Sequence, residues 1–453
     1  MRVRRGTFPL AASRATLLRV TNGLKTPSAL ADLASRGLVR PAAGEPEPVY
    51  AFRHALIQEA AYASLTRQER RRLHREIGLV LEGRPRAAGA DASLLARHFG
   101  EAGEVEKAVP YAIEAASHAV DVLAFDEALS LLEKVEGLTR DAERSDLRRS
   151  VLERRGDVYA RMRLGTRAIT VYREALDLGA RPADPTADLH LNVKILRAAA
   201  AVRWAVDRAA YRAAFEATRA SRRSLEQALP RLGAAPLVDR VHTFAALSLD
   251  AWRNIEPPDW PAAARYAERA AALAEESGDP VLNSIALEAL GDAELGRGDL
   301  PAYRVSALRR LALLEHPAFV DRLQRADALR GAGAALMYLG RYEEALDLLR
   351  QAEASAEAIQ AVDQQFNALS LACQCAFRLD RWDDVLALEA RWTELERHAP
   401  SERTGPLCFP MALAAVVHEL RGEVEMATRL RRRSYAIMLG MGAVESWRSN
   451  AHY

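Results

Sequence analysis

Few residues in this chain are spaced for chemistry. Cys373 and Cys375 form a C-x-C pair, the kind of spacing a metal or a redox couple could use. Residues two apart on a helix face different sides, and no histidine or acidic ligand set lies in frame, so they read as core thiols. The stretch 331–340, GAGAALMYLG, has some of the glycines of a dinucleotide-binding loop. That loop holds phosphates on backbone amides between a strand and a helix. Here the third glycine is missing and no strand precedes, so close helix packing is the better reading. None of the ten histidines shows H-x-x-x-H spacing. There is no G-x-S-x-G and no carboxylate pair set by a motif. The expectation is therefore no catalytic residue, no metal site, no cofactor and no enzyme activity.

Charge is equally unspecific. The 453 residues carry a net charge of +2, too balanced to argue for nucleic acid. Basic clusters at Arg67–Arg75 and Arg429–Arg433 are interleaved with acidic or apolar residues and read as solvated helix faces. Three cysteines, an odd and low count, fit a reducing cytoplasm. The basic N-terminus is too interrupted for a signal peptide, and no apolar run reaches the roughly 20 residues of a membrane helix.

What the chain does encode is helix pairs. At Arg330–Ala354 two helices fold back on each other, with Gly333 and Ala345 as the small residues at the crossing and Gly340, Arg341 and Tyr342 as the turn. Antiparallel helices approach closely only where side chains are small. Ala352 completes this copy. Gly156, Tyr159, Ala168, Tyr172 and Ala175 form another, and Gly291 and Gly298 a third in which Tyr303 replaces the alanine. Weaker copies centre on Ala108, Ala128, Ala263, Val385 and Ala427, with one near Ala214. One helix pair cannot bury its apolar face alone, so the copies must stack. Positions 263, 303, 345, 385 and 427 are spaced by 40, 42, 40 and 42 residues. Tetratricopeptide units repeat every 34 or so, so longer helices or turns are expected. The reading is an all-α, tetratricopeptide-like α-solenoid over 86–453.

The first residues read differently. After a disordered start at 1–9 come a helix at 28–36, short extended segments around the Pro-rich loop 41–48, and helices over 57–85. Helix, strand, loop, strand is the back half of a winged helix, here 10–56. Residues 36–41 (RGLVRP), 50–65 (YAFRHALIQEAAYASL), 70–82 (RRRLHREIGLVLE) and 94–119 resemble a segment of bacterial signal-transduction ATPases, including LuxR-type and cyclase-linked regulators. Phe52, Arg53 and His54 match its phenylalanine–arginine–histidine signature, and the resemblance is specific over about 28–135. It implies a winged helix joined to a sensor of tetratricopeptide-like repeats. His54 is read as a structural hydrogen-bonding residue. The family's Gly-rich loop, G-x-x-x-x-G-K-[ST], is absent, so no ATP binding is expected and the chain looks like the sensor half of such a protein.

The expected function is a non-catalytic, cytoplasmic interaction or sensor module of a signalling or transcriptional regulator. Its groove would take a protein, a peptide or a small inducer. Inward positions of the repeats pick out Asp327, Arg330, Met337, Asn367, Gln374 and Arg378. The alternatives are a DNA-binding regulator and the non-catalytic half of a split ATPase or cyclase. The first would act through the helix at 28–36. That helix offers only Asp32, Ser35 and Arg36, a poor set for phosphates and base edges, so nucleic acid is not expected to bind this chain alone.

Overall fold

The computed structural model describes residues 11–13, 26–42, 49–83, 90–141, 144–179, 187–202, 208–255, 257–398 and 405–440. The expected disordered start, 1–9, lies outside them. The chain divides into two compact units, Met1–Arg154 and Arg155–Tyr453.

The first unit begins with β1 (Ala11–Ser13), α1 (Thr26–Ser35), β2 (Val39–Ala42) and β3 (Val49–Phe52). The strands form one antiparallel sheet in the order β1-β3-β2. Pro41, which cannot donate a ladder hydrogen bond, lies on the edge strand β2. Gly37 ends α1 in the left-handed region at φ +71°, and the amides of Gly37 and Leu38 cap its last carbonyls. Next come α2 (Ala55–Ser64), α3 (Arg67–Glu82), α4 (Ala90–Ala102), α5 (Val105–Asp121) and α6 (Phe125–Asp141). His54 is the N-cap of α2 but makes no side-chain capping bond and is exposed, so the structural hydrogen bond expected of it is not found among the described residues. Thr66 and Glu69 make a reciprocal capping box at the start of α3. Behind it His74 and His98 lie Nδ1 to Nδ1 at 3.0 Å. Burial lowers the pKa of both, pushing His98 down to about 3, so the pair is neutral.

The second unit is a series of helix pairs. The unit boundary falls inside α7 (Ser145–Arg161), which pairs with α8 (Gly165–Asp177). Then follow α9 (Ala187–Val202) with α10 (Arg208–Ala228), α11 (Leu237–Arg253) with α12 (Trp260–Ser277), and α13 (Pro280–Gly296) with α14 (Leu300–Ala312). The last three pairs are α15 (Arg322–Tyr338) with α16 (Tyr342–Glu357), α17 (Val362–Arg378) with α18 (Trp382–His398), and α19 (Cys408–Leu420) with α20 (Val424–Gly440). The long period comes mainly from helix length: α15, α16 and α17 have 17, 16 and 17 residues.

At the expected crossings the side chains are enclosed. Ala263, Tyr303, Ala345, Val385 and Ala427 are all buried. A Cβ on Gly333 would come within 2.7 Å of Leu349, and one on Gly156 within 2.2 Å of the Tyr172 ring. Where Tyr303 stands in for alanine, its ring would lie 3.3 Å from a Cβ on Gly291. Five residues before a crossing, the turn takes a left-handed residue: Gly298, Gly340 and Gly422, but also Leu123, Arg163 and Asp380. The cysteines are core thiols facing two clusters. Cys373 packs with Phe366, Trp392 and Met411, and Cys375 with Leu336, Leu346 and Leu349. Burial pushes both up to about 12, so neither is a ready nucleophile.

In the last pair, His418 is held between Glu389, 2.7 Å from Nε2, and Glu423 on Nδ1. Burial opposes the imidazolium, but the two carboxylate bonds outweigh it and the pKa is raised. Its stabilising contribution is therefore complete below the unfolded histidine pKa and is lost as pH rises through the folded one. Urea midpoints should fall from mildly acidic to mildly alkaline pH, and His418→Gln should flatten that slope. An unchanged slope in the variant would assign it to other groups.

Candidate ligand groove

The first helices of successive pairs, α11, α13, α15, α17 and α19, pack on one another, while the second helices stand further apart. The stack therefore curves with the first helices inside. Polar residues that point inward from these helices line a groove, and two of the chain's buried charged residues, Arg310 and Asp327, lie there.

The centre is Arg310, which reaches inward from α14 and is only 5% exposed along its side chain. It donates to Ser284 Oγ at 2.9 Å, Asp327 Oδ2 at 2.7 Å, Gln324 Oε1 at 2.8 Å and Glu288 Oε2 at 3.3 Å. A guanidinium cannot lose its proton, so burying it requires this many acceptors. Asp327 Oδ1 accepts from Arg330 Nε and Nη2 at 3.1 and 2.8 Å. Burial alone would raise the Asp327 pKa, but the Arg330 and Arg310 guanidiniums hold the carboxylate well below its usual range. Tyr303 donates to the Gly331 carbonyl at 3.2 Å and meets Tyr338 edge to face at 6.3 Å.

Two further ion pairs extend the network. Arg163, in the α7–α8 turn, donates from Nε to Asp363 Oδ2 at 2.6 Å, across 200 residues of chain. It occupies a left-handed turn position at φ +60° that glycine fills in other pairs, a backbone strain of about 1 kcal/mol or more. At the other end, Arg253 Nη2 lies 4.0 Å from Asp292 Oδ2. Replacing Arg163 and Asp363 by Ala, singly and together, should reveal a coupling of about 1–3 kcal/mol in urea unfolding. Strict additivity would mean that the pair is not formed in solution.

The six residues singled out from sequence are distributed as follows. Asp327 and Arg330 are in the network. Met337 is a correction: it is buried with Leu336, Leu346 and Leu349 and offers the groove little surface. Asn367 and Gln374 are half-buried on α17, and Arg378 is exposed at its end. Sequence reasoning passed over Arg163, Arg253, Glu288, Asp292, Arg310 and Asp363. One signal was present: Glu288 precedes Arg330 by the same interval that separates Tyr303 from Ala345.

The basic clusters are partly neutralised, four of their nine arginines pairing with carboxylates among the described residues. Arg72 pairs with Glu76, Arg75 with Glu104, Arg431 with Glu419 and Arg433 with Glu396. Just past α1, Arg36 is bound to Asp32 of that helix at 3.0 Å. No helix among the described residues is long and apolar enough to cross a membrane.

No family model matches the chain. Over 98 residues it is 40% identical to an uncharacterized protein of Rhizobium meliloti (strain 1021), which is 21% of this chain and 10% of that protein. Among solved structures it is similar to a signal transduction ATPase with numerous domains bearing a tetratricopeptide repeat sensor, from Pyrococcus horikoshii. The TM-score is 0.52 at 13% identity, covering 96% of this chain and 63% of that one. It is also similar to a Rap protein complexed with competence and sporulation factor, with TM-score 0.50 at 15% identity, over 82% of this chain and 93% of that one. The fold is a tetratricopeptide-like α-solenoid. The chain spans less than two thirds of the ATPase and a tenth of the curated relative.

Proposed function

We propose that the second unit is a non-catalytic sensor or interaction module of a bacterial signalling regulator, taking a peptide or an extended protein segment into its inner groove. The observation that carries this reading is the buried charge network. Arg310, Asp327, Arg330, Glu288 and Asp292 come from three consecutive helices, α13, α14 and α15, and converge on the inner face. Arg310 and Asp327 are buried and the other three half-buried; such an ion-pair network contributes little net stability, and a stack built for rigidity alone would fill these positions with apolar residues. The two similar structures support the reading: one carries a tetratricopeptide repeat sensor, and the other is complexed with competence and sporulation factor. Regulation of transcription or of a separately encoded ATPase or cyclase is the wider setting suggested by the resemblance over 28–135. The helix α1 and hairpin β2–β3 match the order of a winged helix. The Asp32–Arg36 pair at the end of α1 favours a contact between domains over DNA.

The test is site-specific photocrosslinking in cells. A photoreactive residue at Asn367 or Gln374, on the inner helix α17, should capture a discrete partner. The same residue at the exposed Arg350 of the second helix α16 should not. Equal yields at the inner and outer positions would overturn the groove as the binding surface.

A further inference from the structure

The groove's charges are unequally served. Arg163, Arg310 and Arg330 each donate to a carboxylate at 2.8 Å or less. Arg253 does not: its nearest carboxylate atom, Asp292 Oδ2, is 4.0 Å away, beyond a hydrogen bond. Its Nε is buried without a partner. The guanidinium is nevertheless held in place. It lies 4.4 Å over the Trp252 ring, which stacks on Trp260 at 5.7 Å, and Trp260 fills the space where Gly296 has no side chain. A planar cation supported on an indole is pre-organised to receive a planar anion.

The partner it lacks is an anion. Of two opposite charges left short of hydrogen bonds, a carboxylate can take up a proton, whereas a guanidinium stays charged at any physiological pH. The unmet demand therefore rests on Arg253. We propose that Arg253 receives a side-chain carboxylate of an acidic peptide laid along the groove, with the Trp252–Trp260 stack supporting the guanidinium. This deepens the reading of the groove as a peptide site and rests on it.

Asp292 gives the proposal a signature. Burial pushes its carboxyl up to about 6. The groups that act on it are Arg253 on α11, Glu288 on its own helix α13, and Asp327 and Arg330 on α15, with Tyr303 on α14 beside it. An anion bound at Arg253 raises the Asp292 pKa further, so binding takes up a proton and affinity rises as pH falls towards that of Asp292. Protonated Asp292 then donates a hydrogen bond to the incoming carboxylate.

The experiment is a display selection of random dodecapeptides on the full chain, in parallel on the wild type, Arg253→Gln and Asp292→Asn. The wild type should enrich peptides containing Asp and Glu. The tightest of these should lose roughly tenfold to a hundredfold in affinity on Arg253→Gln and a similar factor when its own Asp or Glu is changed to the amide. Its affinity should rise severalfold from about pH 8 to about pH 6, and Asp292→Asn should flatten that rise. Far-ultraviolet circular dichroism and thermal midpoints of the variants confirm that they fold. Enrichment of Lys and Arg peptides, lost on Asp292→Asn, would overturn the proposal while keeping the groove as a peptide site. So would acidic peptides indifferent to Arg253→Gln. No enrichment over bare matrix would overturn both this proposal and the groove reading.

Discussion

Asp327→Ala is expected to cost the second unit about 3–5 kcal/mol of stability, the range for removing one partner of a buried ion pair. Asp327 is bonded by Arg310 on one oxygen and Arg330 on the other. Arg310 is only 5% exposed along its side chain. Removing the carboxylate leaves a buried cation facing Glu288 at 3.3 Å and two neutral acceptors. Asp327→Asn keeps the shape and one acceptor oxygen, so it should cost less. Replacing Arg310 by Met and Asp327 by Leu together removes both charges, and stability should largely return. Urea denaturation of the three proteins decides the matter. A loss below about 1 kcal/mol in Asp327→Ala would mean that water reaches Arg310 in solution. Recovery in the double variant would show that the network is kept for the groove rather than for stability.

Gly165→Ala should cost about 2–3 kcal/mol by overpacking. Gly165 opens α8 against α9. A Cβ there would fall 2.5 Å from the Ala198 carbonyl oxygen and 2.7 Å from Val202 Cγ2. The first obstacle is backbone inside a helix, so no rotamer change relieves it and α8 must move off α9. Gly137 on α6 is the control, because a Cβ there meets nothing within 4 Å. Its replacement by Ala should be neutral or stabilise by up to about 1 kcal/mol through helix propensity. Thermal unfolding distinguishes the two, and equal shifts would refute the close approach of α8 to α9.

The parts of this fold that were legible in the sequence are those set by local size. Gly333 with Ala345 and Gly156 with Tyr172 announced their crossings because close approach tolerates few residue types. The turns were legible where they carry glycine, as at Gly298 and Gly340. They were not legible at Leu123 and Arg163, where the pair geometry imposes a left-handed backbone on residues that give no local sign of it, and only weakly so at Asp380, a type that tolerates that region. The groove was less legible still. Arg310 and Asp292 look like any solvated charge on a helix, since burial depends on how neighbouring repeats curve and not on spacing within one. Met337 fell on the inward register, but its flexible thioether turned into the core between α15 and α16. The Arg163–Asp363 pair depends on the curvature of several repeats together, which no window of sequence contains.

That pair changes how the stack must come apart. An array with only nearest-neighbour contacts behaves as a one-dimensional chain of switches and can fray one unit at a time from either end. Joining residue 163 to residue 363 closes a ring around the intervening helix pairs. Stretched from its ends, the second unit would first shed only what lies outside the ring. The pairs inside the ring would come under load only once the tie parts.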